Sequence, residues 1–421
     1  MPSDSSTKKL FIGLGIAALY FIITALPAPD GLTPVGKKAI AMMLAAVLVW
    51  VFEVIPIAVS SILFTLLPVV AGIIPLPKVM AHFATPTVFF VFAMFCISIA
   101  FQNSGLNRRV VLWTSLRSRG NPSRLLFFLM MVSALLSTFL ADIPVVAMML
   151  PVAVLLLEKN RCEPGASPFG KAVMLGLPIA CLIGGVGTPA GSAMNMLTIG
   201  LLQDTAKVHI SFFEWMAIGM PMVLILTPVA WWAVIKVFPP EMDRLAGMEL
   251  VEREYAELGP VTGREKLFFV ILLINFILWC TDKIHGLPLP VVAVIGGSLF
   301  VLPRIQLIDW ERDKCRIGWD ILMLIGASNA LGMIIWEQGG ASWIANACLG
   351  DISDLPLAGV IAAISIFTIV IHLLIPVNTA IVAVLLPALA ALAGTMGVNP
   401  AVLAIPMGFS VSAALLLPLD P

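Results

Sequence analysis

Within the run FLADIPVVAMMLP, residues 139 to 151, a single acid, Asp142, stands among apolar neighbours. A second acid, Asp420, stands in the closing LPLDP, and between the two lie Thr188-Pro189 in a glycine-rich stretch and Asn378-Thr379 in an apolar one. An ionisable side chain in hydrocarbon is costly, so by default it marks a substrate or ion pathway. Carboxylate, hydroxyl, amide and carbonyl oxygens are the ligands that a hard cation such as sodium takes. A buried carboxyl group can take up a proton instead, because burial disfavours its charged form. The chemistry these residues suit is therefore the binding of a cation or a proton. Each has a plainer reading too. Asp142 could accept hydrogen bonds from loop amides, and Asn378 and Thr379 could cap the helix that leaves their turn.

The elements that must position these residues are membrane helices. The 421 residues are 60% hydrophobic and 11% charged, with a mean hydropathy of +1.06, and the apolar runs repeatedly reach the ~20 residues needed to cross a bilayer. The fold class is an all-α polytopic membrane protein. Spanning helices are expected at about 10–26, 38–54, 57–75, 87–104, 214–238, 266–281, 289–303 and 318–337. The basic start with a long apolar core lacks an AxA-type cleavage site, so it reads as a first span rather than a removable signal. Net charge is zero; in a polytopic chain charges sort by side, so the total points to no nucleic-acid partner. The cysteines show no paired spacing and the four histidines are dispersed, which argues against a disulfide framework or a zinc site. Trp215, Trp231 and Trp232 fit an interfacial aromatic belt, and the charged stretch 239–260 reads as a solvated amphipathic helix joining two halves.

Two apolar segments, 125–157 and 356–394, are too long for one span and carry a Pro and a polar residue near the middle. Each arm is about 16 residues, or ~24 Å of helix, short of the ~30 Å hydrocarbon core, so both are expected to be re-entrant hairpins. Two more, 171–201 and 400–421, are broken by GGVGTPAGS and PLDP, as expected of discontinuous helices that line a cavity. With this topology most Lys and Arg residues fall on the side of Lys8 and Lys9, which makes the N-terminus cytoplasmic. The segments also repeat. ADIPVVAMMLP, 141–151, aligns on VNTAIVAVLLP, 377–387, with Val146 on Val382, Ala147 on Ala383, Leu150 on Leu386 and Pro151 on Pro387. FQNSGL, 101–106, matches WEQGGA, 336–341, and the broken helices follow in the same order. The charge map gives the halves opposite orientation. Inverted repeats with broken helices meeting at the midplane are the architecture of secondary transporters.

The quoted pieces, together with ISFFEWMAIGMP (210–221) and the run 184–195, GGVGTPAGSAMN, resemble the divalent anion:sodium symporters, whose members carry dicarboxylates, citrate or sulfate. The resemblance covers nearly the whole chain. It implies an elevator-type transporter, homodimeric through a scaffold domain, with scaffold parts at 1–124 and 266–355, transport parts at 125–238 and 356–421, and a linker helix at 239–265. It also implies a Ser-Asn-Thr motif at each hairpin tip that holds substrate carboxylates and, with carbonyls of the broken helix, sodium. Here the second tip is Val377-Asn378-Thr379 and the first is Ala141-Asp142-Ile143, which keeps none of the motif. Carried over to this sequence, Ala141, Asp142, Ile143, Thr188, Pro189, Asn378 and Thr379 are the expected substrate positions. Ser137, Asp142, Gly187, Asn378 and Asp420 are the expected coupling positions, with sodium at Asp142 and Asp420. Ser137 is included because residues one turn apart share a helix face. In pseudo-symmetric terms Asp142 would face Thr188, and Asn378 and Thr379 would face Asp420, one carboxylate to each half-site. The resemblance further implies the second half of the last broken helix and one more span, so the chain is expected to be a truncated piece or an incomplete transporter.

The expected function is cation-coupled transport, by sodium or protons, of a small anion (a di- or tricarboxylate, or sulfate) across the plasma (inner) membrane. No enzyme activity and no cofactor beyond the coupling ion are expected. Two alternatives stand beside it. A sodium/proton antiporter would also use intramembrane aspartates. An intramembrane aspartyl hydrolase would need Asp142 and Asp420 as a proton-sharing pair, and no GxGD stretch occurs. A passive channel would leave the hairpins, which occlude substrate at the midplane, without a purpose.

Overall fold

The computed structural model describes residues 4–140, 142–349, 355–372 and 378–412, with backbone alone described at 4–7, 143, 345–346 and 348–349. Every regular element among them is helical. In chain order these are α1 (Asp4–Ala25), α2 (Pro34–Val51), α3 (Ile57–Val70), α4 (Leu76–Phe83), α5 (Pro86–Ser104), α6 (Leu106–Arg117) and α7 (Pro122–Ser137). Next come α8 (Asp142–Lys159), α9 (Pro168–Gly185), α10 (Ala193–Ala206), α11 (Phe212–Val237), α12 (Met248–Glu257), α13 (Gly263–Cys280) and α14 (Asp282–His285). The rest are α15 (Leu289–Leu299), α16 (Trp310–Asp313), a 3-10 turn (Lys314–Arg316), α17 (Trp319–Glu337), α18 (Gly340–Leu349), α19 (Leu357–Ile371), α20 (Asn378–Met396) and α21 (Ala401–Ser412).

The helix starts are written in the sequence. Thr33, Asn121 and Ser167 each precede a proline and accept a hydrogen bond from the backbone three residues on, at 2.9 Å in each case. Ser211 with Glu214 and Thr262 with Glu265 form reciprocal capping boxes at the starts of α11 and α13. These caps satisfy amides that a helix leaves unpaired, and proline at the first helical position gives up no bond. Seven described stretches are long and apolar enough to cross a bilayer, among them Pro34–Val51, Phe212–Val237 and Asn378–Met396. Large apolar side chains such as Ile225 and Phe269 point outward, as they do when the solvent is lipid. The molecule is an integral, polytopic, all-α membrane protein.

Packing divides the chain into two compact units. One comprises Met1–Phe89, Ala193–Ile210 and Gly318–Asp420, the other Phe90–Ser192 and Ser211–Ile317. In the first, α2, α3, α17 and α20 bury Ala46, Trp50, Phe64, Leu331, Ile334 and Ala383 in one cluster. In the second, α6, α7, α9, α11 and α12 bury Leu112, Leu126, Phe169, Leu177, Val223 and Val251.

Several local readings are corrected. The stretch 239–260 is helical only over Met248–Glu257, because Pro239-Pro240 cannot sit inside a helix and Gly247 takes φ 83°. Its Val251 is fully buried, the packed side expected of an amphipathic helix. Helix α6 lies outside the expected spans and carries Arg108, Arg109 and Arg117; it buries Val111, Leu112, Thr114 and Ser115. The spans foreseen at 57–75 and 289–303 end early, at Val70 and Leu299.

Candidate functional site

In the second unit the candidate residues gather at the turn between α7 and α8. Ser137 is the last residue of α7 and Asp142 the first of α8, so the acid lies in the first turn of a helix, where the exposed amides favour negative charge. Asp142 is partly buried and accepts a hydrogen bond from the fully buried Ser137 hydroxyl. It forms no ion pair among the described residues. Residues 186–192 are non-helical and separate α9 from α10. There the Thr188 hydroxyl donates to the Thr138 carbonyl and accepts from the Ala190 amide at 3.1 Å, which ties the broken helix to the α7–α8 turn. Pro189 is buried beside it.

The absence of side chains makes the close approach possible. A Cβ on Gly185 would lie 3.1 and 3.2 Å from the two Asp142 carboxylate oxygens. One on Gly191 would lie 2.6 Å from the Gly185 carbonyl oxygen and 2.8 Å from that of Ser137. Gly187 abuts the Thr138 methyl, at 2.7 Å for an added Cβ. Carbonyl oxygens of Ser137 and Gly185, the Asp142 carboxylate and the Ser137 hydroxyl thus cluster around two glycines. Oxygen-rich surroundings with a carboxylate and no basic partner suit a hard cation. Asp142 and Thr188 do not meet through a hydrogen bond, as each is held by a residue at the end of α7.

In the first unit Asn378 and Thr379 open α20, and Asn378 Oδ1 and Thr379 Oγ1 are buried with no hydrogen-bond partner. The capping reading of these two side chains is therefore not realised among the described residues. Helix α20 packs against α10 and α21, where Ser412 Oγ lies 3.5 Å from Asn195 Oδ1 and Thr198 Oγ1 is a further buried atom without a partner. At the end of α19 His372 is 2% exposed, with neither ring nitrogen bonded among the described residues. Asn195, Thr198, His372 and Ser412 went unremarked in the sequence reading. The signal for His372 was present, a titratable residue inside an apolar run. Ala141 and Asp420 lie outside the described residues, as does the side chain of Ile143.

The aromatic-belt reading is compatible with Trp232, which is exposed with the Lys236 ammonium 4.8 Å from its ring centre. It fails for Trp215. That ring is fully buried and its indole N–H donates to the Val186 carbonyl at 3.0 Å. Trp231 is partly buried and donates to the Ser123 carbonyl.

The family model of the sodium:sulfate symporter transmembrane region matches residues 7–420. The chain belongs to this family. Members of this symporter family are transporters, so the protein is not an enzyme. A relative in Staphylococcus saprophyticus, named sodium-dependent dicarboxylate transporter SdcS, is 30% identical over 436 residues, covering 97% of this chain and 83% of that one. The protein of that name in Staphylococcus aureus is 28% identical over 446 residues, covering 99% and 85%. A Cupriavidus necator relative described as a membrane protein is 28% identical over 450 residues, covering 100% and 86%.

Proposed function

We propose that this symporter-family protein carries a small dianion, of the dicarboxylate class or sulfate, into the cell by coupling it to sodium, with Asp142 as a coupling group. The observation that carries the reading is the Asp142 carboxylate, without a basic partner among the described residues, bonded by the Ser137 hydroxyl and packed against Gly185 at the edge of a broken helix. Relatives named as sodium-dependent dicarboxylate transporters favour sodium over a proton as the neutralising cation. The substrate is held chiefly at Asn378 and Thr379, whose buried oxygens lack partners, with Thr188 and Pro189 lining the first half-site. Asp420 completes the second half-site as its carboxylate. Helices α7 and α8, of 16 and 18 residues, measure about 24 and 27 Å, short of a ~30 Å core. They act as the arms of a re-entrant hairpin, and α19 with α20 as the arms of another. The two halves are inverted repeats. The transport parts 125–238 and 356–421 move as an elevator against a dimeric scaffold of 1–124 and 266–355, in the plasma membrane with the N-terminus cytoplasmic.

Uptake of labelled succinate and sulfate into proteoliposomes under an imposed sodium or proton gradient tests this reading. Asp142→Asn should abolish or uncouple sodium-driven uptake while the protein remains folded. Full sodium coupling in that variant would overturn the role of Asp142. Sodium-driven proton flux with no anion uptake would favour the antiporter instead.

A further inference from the structure

We infer that Trp215, backed by Gly219, is a positioning residue for the cation site: it grips the 186–187 backbone from behind and so fixes how the Gly185–Thr188 segment faces Asp142. The inference rests on the cation reading of Asp142. Its geometry lies wholly within one packing unit. The start of α11 is held by the Ser211–Glu214 capping box, in which Glu214 Oε2 accepts the Ser211 amide at 2.9 Å. One turn in, the Trp215 indole N–H occupies the Val186 carbonyl at 3.0 Å. Four residues later, on the same face, α11 approaches so closely that a Cβ on Gly219 would fall 2.6 Å from the Val186 oxygen and 2.7 Å from the Gly187 oxygen.

On the opposite side the same segment meets the α7–α8 turn, through Gly187 against the Thr138 methyl and the Thr188 hydroxyl on the Thr138 carbonyl. The segment is clamped between α11 and the turn that carries Ser137 and Asp142. The Val186 and Gly187 carbonyls are turned toward α11, while the Gly185 carbonyl stands with that of Ser137 at Gly191. Loss of the indole donor leaves a buried carbonyl unpaired, and the segment can then rotate to regain a bond. Oxygens that must sit at fixed distances for sodium would be displaced without any ligand having been removed.

The test is sodium activation of uptake in proteoliposomes for wild type, Trp215→Phe, Gly219→Ala and Asp142→Asn. Trp215→Phe keeps an aromatic ring and loses the donor; Gly219→Ala presses on the same two carbonyls and serves if the first variant fails to accumulate. Both should raise the sodium concentration for half-maximal uptake by about fivefold to tenfold, with Vmax and the substrate KM at saturating sodium within about twofold of wild type. A purely structural tryptophan would lower thermal stability equally in sodium and potassium and leave the sodium constant alone. A sodium constant unchanged in both variants overturns the inference, whatever Asp142→Asn does. A sodium constant unchanged in Asp142→Asn alone overturns the reading of Asp142 and leaves the positioning role supported by the shift in the other two.

Discussion

At the residue scale the site depends as much on missing atoms as on present ones. Gly191 stands where the carbonyls of Ser137 and Gly185 approach within 2.8 and 2.6 Å of a would-be Cβ, distances that real Cβ atoms do not tolerate. Gly191→Ala should therefore either part the two carbonyls or strain the turn. Overpacking of this kind costs about 1–3 kcal/mol, and sodium-driven uptake is expected to fall by more than the thermal midpoint alone would imply. His372 presents the opposite case, two ring nitrogens buried with no partner among the described residues. A buried polar group without a hydrogen bond is a standing cost, roughly 1–3 kcal/mol, which His372→Leu removes. That variant should raise the substrate-free melting temperature and lower uptake, the usual sign of a residue kept for function at the expense of stability. A lower melting temperature would show that the imidazole is structural.

At the scale of elements, the N-terminal ends of α6 and α13 are joined by Arg109 and Glu265. Arg109 Nε donates to Glu265 Oε1 at 2.8 Å and Nη2 to Oε2 at 3.1 Å, and Nη1 reaches the Gly259 carbonyl at 3.0 Å. The same carboxylate caps α13 by accepting the Thr262 amide at 2.6 Å. The hydrogen bond from Arg109 holds the Glu265 carboxyl below its ordinary range, against the opposing effect of burial. A carboxyl group lowered by folding stabilises the protein above its unfolded value, about 4.3, and that contribution disappears as pH falls through the lower folded value. Glu265→Gln should therefore destabilise the protein at neutral pH. Removing one partner of a largely buried pair costs about 3 kcal/mol. Between about pH 5 and pH 3 the wild type should lose stability faster than the variant does, as thermal melts across that range would record. Little of this was legible beforehand, because Arg109 and Glu265 lie 156 positions apart and meet only once the chain has folded.

At the scale of the whole molecule, an ion that binds only the folded form stabilises it by an amount that rises with the logarithm of its concentration above the dissociation constant. At about ten times its dissociation constant the gain is about 1.4 kcal/mol. The wild-type melting temperature should accordingly rise in sodium chloride relative to choline chloride, and Asp142→Asn should flatten that rise. An equal response of both proteins would remove sodium from Asp142.

The sequence by itself determined the class of molecule, because apolar runs of bilayer length leave an α-helical membrane protein as the economical solution, and the prolines with Ser, Thr or Asn before them marked where helices begin. It also determined which polar residues were anomalous, since an acid such as Asp142 has no cheap place in hydrocarbon. Tertiary structure decided who their partners are. It gave Asp142 to Ser137 and Thr188 to Thr138, left Asn378 Oδ1 and Thr379 Oγ1 without a partner among the described residues, and drew Trp215 from the interface into the packing behind the broken helix. The physical reason is reach. Span length and cap chemistry are local and can be read along the chain, whereas a hydrogen bond between residues fifty positions apart, as at Thr188 and Thr138, exists only once the helices that carry them have packed.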